Sequence, residues 1–329
     1  MHKNELTENN DFITLVARKE KRKNNIRKAG LIAMFLGPYG FCFFLFFAFP
    51  LVLGIIMSFS KFDGKSLFPS GFAGFNNYIA LFTNEILSRD FWGSVWNTIR
   101  FALIIVPLSI IIPLGLAILT ALKPPGYKFF RACIYLPGIF PLTATGLILL
   151  KMFSYRGGFI NSFFNISIDW FGEVGACWFM IGLFCLWCGI GGNFIILCAG
   201  LENVDKSLYE AVSIDGGNKL HTFFHVTLPG ISSQLFLCIF TTFTGYMNLY
   251  GQVYILGTGV ADQSEIKTAI YRIQDFLLGS SKNYGYVAAM GICLGFIIIL
   301  IAIIQMIVSK EKRGNGKHAK AFMDYKKSK

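Results

Sequence analysis

Six apolar stretches of roughly 20 residues or more dominate this chain, and little else about it is as constraining. A helix of about 20 apolar residues crosses the hydrocarbon core of a bilayer. The stretches run over about 31–58, 97–122, 130–153, 177–201, 231–256 and 286–308. Of the 329 residues, 54% are hydrophobic and 15% charged, with a mean hydropathy of +0.56. A soluble domain carries about 25% charged residues, so this chain lacks the charged surface a soluble enzyme of its length needs. The fold class is all-α, a polytopic membrane protein with six transmembrane helices. The first stretch is too long and too late for an ordinary cleaved signal and lacks a clear small-residue cleavage site.

The net charge of +12 sits in the segments flanking the stretches. Twenty-one Lys and Arg fall on one side of the six-span arrangement and seven on the other. Positive loops stay cytoplasmic, so both termini are expected in the cytoplasm, as an even number of spans requires. A basic tail at 1–30 and another at 309–329 then flank a six-helix transmembrane domain at 31–308. Neither tail interleaves its charge with aromatics, so nucleic acid is not an expected partner; the lipid bilayer is. Trp92, Trp96, Trp170 and Trp178 fall at the expected outer ends of spans two and four, where Trp prefers the water–lipid interface. Trp187 lies deep in span four.

No Asp or Glu occurs inside the six stretches. Ion-coupled transporters place such groups near the midplane, which weighs against an ion-coupled transporter or a channel acting alone. No phosphate-cradling G-x-x-x-x-G-K-[S/T] is present, and no catalytic cluster is evident, so an enzyme is not expected. The eight cysteines lie in or beside apolar segments, and Cys185 and Cys188, spaced C-x-x-C, have no second ligand pair. They read as small packing residues. His221 and His225 share a helix face without a third ligand, and no metal site is expected. Pro38, Pro50, Pro107, Pro113, Pro137 and Pro141 each free a backbone carbonyl that neighbours must satisfy.

The connection at 202–230 is too long and too apolar for a plain loop. Ser207 followed by Glu210 fits a capping box, with Asp205 an alternative cap. Leu208, Tyr209, Val212 and Ile214 make a short apolar helix, and Gly216-Gly217 end it. Asn218 caps a second short helix carrying Leu220, Phe223, Phe224 and Val226, which Pro229 is expected to stop. Such a pair packs either on its own spans or in a groove of a cytoplasmic partner.

Glu210-Ala211-Val212, then Gly216, then Val226-Thr227-Leu228-Pro229 resembles the EAA loop of binding-protein-dependent ABC importer permeases. The spacing matches at every element, and Asp215-Gly216 matches the D-G usual there. Val212 stands for Ala, and Val226 for Ile. The likeness extends to Gly74-Phe-Asn-Asn-Tyr78, Trp96-Asn-Thr98, Arg131 through Leu136-Pro137, and Gly158-Phe-Ile-Asn161. Together these are similar to the first permease of carbohydrate systems of the maltose or multiple-sugar type.

The resemblance implies the type I importer fold in a bacterial plasma membrane, and no cofactor in this chain. ATP and Mg would be bound by a partner ATPase dimer. A second homologous permease and an extracellular or periplasmic solute-binding protein complete the implied partners. Leu208, Glu210, Ala211, Val212, Asp215, Gly216, Leu220, Phe223, Leu228 and Pro229 would couple to the ATPase. The cargo would be a sugar or oligosaccharide; a polyol or sugar phosphate on the same scaffold is the alternative. Polar uncharged groups suit such cargo, and the implied path residues are Trp187, Gly189, Thr244, Tyr246, Asn248, Tyr250 and Gln252. Four of these recur every second residue from Tyr246 to Gln252. They cannot share one face of a regular helix, so either the helix is irregular there or only some face the path. Asn248 with Gln252, and Tyr246 with Tyr250, are the pairs four apart.

Overall fold

The computed structural model describes residues 27–28, 30–64, 69–260, 265–279 and 283–327, with side chains to 307. Most of the basic N-terminal segment and the basic side chains beyond 307 lie outside the described residues. The chain divides into two compact units, up to Met57 and from Ser58 onward. The first unit carries α1 (Gly30–Ser58), a 29-residue apolar helix. It widens into a π turn at Phe44–Ala48, just before Pro50. Pro50 offers no N–H to the preceding turn and would clash with its carbonyl; the wider turn gives it room.

The second unit begins with a two-stranded antiparallel ribbon, β1 (Ser60–Lys61) and β2 (Gly71–Phe72), pairing Ser60 with Phe72 and Lys61 with Gly71. Helix α2 (Asn76–Thr83) leads to α3 (Glu85–Ala121), which Asn84 caps by accepting from the Leu87 amide at 3.1 Å. Helix α3 starts 12 residues before the expected span two, so Trp92 and Trp96 belong to one continuous helix.

The third span is not straight. Helix α4 (Tyr127–Tyr135) runs through a 3-10 turn at Leu136–Ile139 and meets α5 (Leu142–Met152) at 97°. Pro141 is the cause: a residue before proline is driven out of the helical region, and Phe140 is extended, with φ −68° and ψ 143°. Short α6 (Phe159–Phe164) precedes α7 (Val174–Glu202), the expected span four.

Next come α8 (Lys206–Ile214), α9 (Lys219–Gly230), α10 (Ser232–Met247) and α11 (Gly251–Leu256). Pro229 does not stop α9. A second π turn, Phe223–Thr227, again ends two residues before the proline and absorbs it. The chain bends instead by 69° at Ile231. The expected fifth span is also interrupted, since α10 ends at Met247 and Asn248 to Tyr250 are non-helical. Helix α12 (Ala269–Leu278) and the terminal α13 (Tyr284–Lys327) complete the chain. Among the described residues, four helices are long and apolar enough to cross a membrane, and two bent pairs bring the number to six where each pair makes one span.

The main core lies between α3 and α7, around Ala102, Ala117, Ile181, Phe184 and Phe194, with α10 and α11 against it. A second cluster joins Leu81, Phe91, Met247, Ala289 and Met290 from α2, α3, α10 and α13. Apolar side chains facing lipid are no worse off than buried ones, so specificity here comes from close packing and polar contacts.

Candidate functional site

The 202–230 connection folds as two short helices, with a cap different from the capping box. Asp205, not Ser207, is the N-cap of α8, and its carboxylate accepts from the Ser207 amide at 2.9 Å. Hydrogen bonds from Ser207 hold the Asp205 carboxyl below its ordinary value. The cap is therefore fully present above the unfolded carboxyl value and fades as pH falls through the lowered folded one.

Gly216 closes α8 at φ +75°, a region costly for any residue with a Cβ. The Gly217 amide donates to the Val212 carbonyl at 2.9 Å and the Gly216 amide to that of Ser213 at 3.3 Å, the two bonds of a Schellman closure. A Cβ on Gly217 would stand 2.4 Å from Val212 Cγ1, so both glycines are required, for different reasons. Asn218 caps α9 through the His221 amide at 2.8 Å. His221 and His225 do share a face, with rings stacked at 4.0 Å. Among the described residues no group of three or more His, Cys, Asp or Glu stands close enough to hold a metal.

The two helices are two-faced. Tyr209, Val212, Phe223 and Leu228 pack on the main core, Val226 is buried, and the Tyr209 hydroxyl meets Thr227 Oγ1 at 3.3 Å. Leu208, Ile214 and Leu220 are 49%, 86% and 68% exposed, and Glu210, Ala211, Asp215, Gly216 and Pro229 are exposed with them. The ten expected coupling residues thus divide: Val212, Phe223 and Leu228 face inward, the rest outward. Arg131 of α4 pairs with Glu202, at the root of the connection, at 2.9 Å.

The expected path residues do not form one surface. Tyr246 is buried, its hydroxyl 2.8 Å from Ser109 Oγ. A Cβ on Gly189 would lie 3.7 Å from that Tyr246 hydroxyl, so these two are neighbours. Trp187, Gly189 and Asn248 are exposed; Thr244, Tyr250 and Gln252 are half-buried. The Asn248 amide group turns back to the Thr244 carbonyl at 2.8 Å. The break at 248–250 removes the helical pairing of Tyr246 with Tyr250 and of Asn248 with Gln252. Tyr250 instead stacks on Tyr254, with ring centroids 5.4 Å apart. Thr268 Oγ1 donates at 2.5 Å to the Leu249 carbonyl that the break exposes.

Sequence reasoning missed the polar centre of the helix bundle. Pro113 has no N–H for the Ser109 carbonyl four residues back. Asn193 of α7 supplies it, donating at 2.9 Å, and its side chain also bonds Thr242 Oγ1 of α10 at 2.9 Å. With Ser109 bonded to Tyr246, this network ties spans two, four and five. The signal was present as a lone Asn in an apolar span and a proline in another; their pairing was not. Asn193→Leu is expected to lower stability by about 1–2 kcal/mol, the range for an interhelical hydrogen bond that leaves partners unsatisfied. Thermal unfolding of the purified chain checks this, and an unchanged midpoint would remove the network from the account.

The other motifs serve as clamps at the outer ends of the spans. Thr98 Oγ1 accepts from the Ala269 amide at 2.9 Å, and Asn97 donates to the carbonyls of Glu265 and Lys267 at 3.2 and 3.3 Å, pinning that loop to α3. Asn77 donates to the carbonyls of Ser58 and Ser60 at 2.8 and 3.0 Å. Asn161 holds its own loop through the carbonyls of Tyr155 and Ile168, and accepts from Trp170 Nε1 at 2.8 Å.

Residues 112–314 match the family model described as binding-protein-dependent transport system inner membrane component. The chain belongs to that family. The matched range takes in the two-faced connection and the spans on either side of it. As a member, the chain is a multi-pass transport component of the inner membrane and not an enzyme. It is 28% identical to the sulfoquinovosyl glycerol transport system permease protein SmoG of Agrobacterium fabrum, over 86% of this chain and 91% of that one. It is 26% identical to the arabinooligosaccharides transport system permease protein AraP of Bacillus subtilis, over 86% and 90%. Among solved structures, a bacterial ABC transporter involved in the import of the acidic polysaccharide alginate superposes with a TM-score of 0.76 at 17% identity, covering 88% of this chain and 98% of that one. That likeness concerns the fold.

Proposed function

We propose that this protein is the membrane-spanning permease of an ATP-driven importer carrying a sugar or oligosaccharide into the cytoplasm. The observation that carries the reading is the two-faced 202–230 connection. Its inner face packs on the main core through Tyr209, Val212, Phe223 and Leu228, while its outer face offers Leu208, Glu210, Ala211 and Leu220 to a partner. An element gripped on one side and open on the other can pass a push from a cytoplasmic ATPase to the spans. The ATPase biases a two-state membrane element, and the connection carries that bias. ATP and Mg belong to that partner.

Relatives whose names specify sulfoquinovosyl glycerol and arabinooligosaccharides support a carbohydrate cargo. A solved relative of the fold in complex with a pentasaccharide-bound periplasmic protein supports a solute-binding protein as the donor of cargo. A second permease completes the assembly. Within this chain, Trp187, Gly189, Thr244, Asn248, Tyr250 and Gln252 supply ring faces and hydrogen-bonding groups of the kind sugars need, and Tyr246 lines the layer behind Gly189.

Gentle solubilisation of the tagged chain from its host should bring down a second six-span permease and an ATPase. Vesicles holding that complex should take up sugar only with ATP and the binding protein. Uptake by the purified chain alone, or uptake indifferent to ATP, would overturn the reading.

A further inference from the structure

Two cavities adjoin at the end of α3 that the charge count places outside. One is an apolar groove of about 520 Å³ between α3 and α7, lined by Phe101, Ile104, Leu108, Phe179, Leu183 and Leu186. The other is a polar cleft of about 490 Å³, bordered by Arg89, Arg100, Lys267 and Arg272 together with Asp90 and Glu265. Asn97, Arg100 and Glu265 line both, so the two are continuous.

The charges of the cleft are unequally engaged. Arg272 pairs with Asp90 and Asp275, and Lys267 with Asp275. Among the described residues, Arg89 and Arg100 have no carboxylate partner, and the Arg100 guanidinium lies over the Trp96 ring at 5.0 Å. Glu265 also borders the cleft; with Asp275, which pairs with two of the cations, four cations meet three carboxylates among the described residues.

Depth follows from the aromatics. Trp prefers the water–lipid interface; Trp96 lines the cleft and Trp178 the groove, which continues along α7 to Leu186. From Val174 to Leu186 the α7 wall is about 18 Å long at 1.5 Å per residue, against about 15 Å for one leaflet of the hydrocarbon core. A water-borne acidic ligand or protein would use the cleft and leave the groove open. A transmembrane helix would fill the groove and have no use for the cleft. An anionic phospholipid uses both.

We infer that this composite site holds one anionic phospholipid of the outer leaflet, an acyl chain in the groove and its phosphate at Arg100, the cation without a carboxylate partner that lines both cavities. The inference does not rest on the transport reading, since lipid retention is measured without cargo or ATP. Native mass spectrometry of the full chain, offered dipalmitoyl phosphatidylglycerol or dipalmitoyl phosphatidylethanolamine, tests it. The anionic lipid should be retained at least about fivefold better. Arg100→Gln should lower its retention about fivefold, the worth of one basic charge at an anionic surface, whereas Arg89→Gln, about 16 Å further along α3, should change it less. Ile104→Trp, which fills the groove and spares both arginines, should also release it; size-exclusion chromatography verifies that each variant is folded. Equal retention of the two lipids would overturn the inference, as would an Ile104→Trp variant that still binds. Cross-linking of a cysteine at 104 to the second permease in the assembled complex would place that subunit, not lipid, in the groove.

Discussion

Glu210→Lys should reduce association with the ATPase subunit by about 30-fold or more. Reversing a charge at the centre of an interface costs about 2–5 kcal/mol, because it removes an attraction and adds a repulsion. Glu210 is exposed on the outer face of α8, between Leu208 and Ala211, and no intramolecular salt bridge is recorded for it among the described residues. The variant should therefore insert and fold normally. Association is read by titrating purified ATPase onto the reconstituted permease, and folding by the unchanged elution of the variant. Glu210→Gln should lose less, since it removes the attraction only. Normal association of the lysine variant would withdraw Glu210 from the docking surface. It would leave family membership untouched, because that rests on the match across 112–314.

The second large effect belongs to the outer face. Arg272→Met should destabilise the chain by about 2–3 kcal/mol, more than a surface pair is worth and less than the cost of breaking a fully buried one, because the pair is part-buried and lines a polar cleft. The Arg272 and Asp90 side chains are only 14% and 15% exposed. Without Arg272, Asp90 loses its ion-pair partner while staying part-buried in the cleft; Asp275 keeps Lys267 at 2.8 Å. Methionine preserves the packing of the stem against Phe276, over whose ring the guanidinium lies at 5.0 Å. The double variant Asp90→Asn with Arg272→Met should regain much of the loss. Thermal unfolding of the three variants measures this, and a single variant as stable as the parent would mean that the pair is solvated in the membrane.

The membrane class, the apolar stretches and the two short helices of the 202–230 connection were legible in the chain. Each rests on local information: hydropathy over about 20 residues, and Asp205, Gly216 and Asn218 at fixed offsets that only short-range caps require. Of the two caps that the spacing allowed, Ser207 and Asp205, the structure uses Asp205, whose carboxylate is the stronger acceptor at that helix start. Pro141 was read as freeing a carbonyl within one continuous span, whereas the chain bends there by 97°. Pro229 was read as a stop, and the π turn before it let the helix continue.

What needed the tertiary structure was the choice of partner. The Ser109 carbonyl freed by Pro113 finds Asn193, 84 residues away. Thr98 meets Ala269 across 171 residues, and neither distance leaves a trace in spacing. Likewise Val212 and Leu208 are equally apolar in sequence, yet one packs on the core and the other stays exposed. Periodicity assigns residues to faces of a helix; only the packing of the spans decides which face is already covered and which remains open to another molecule.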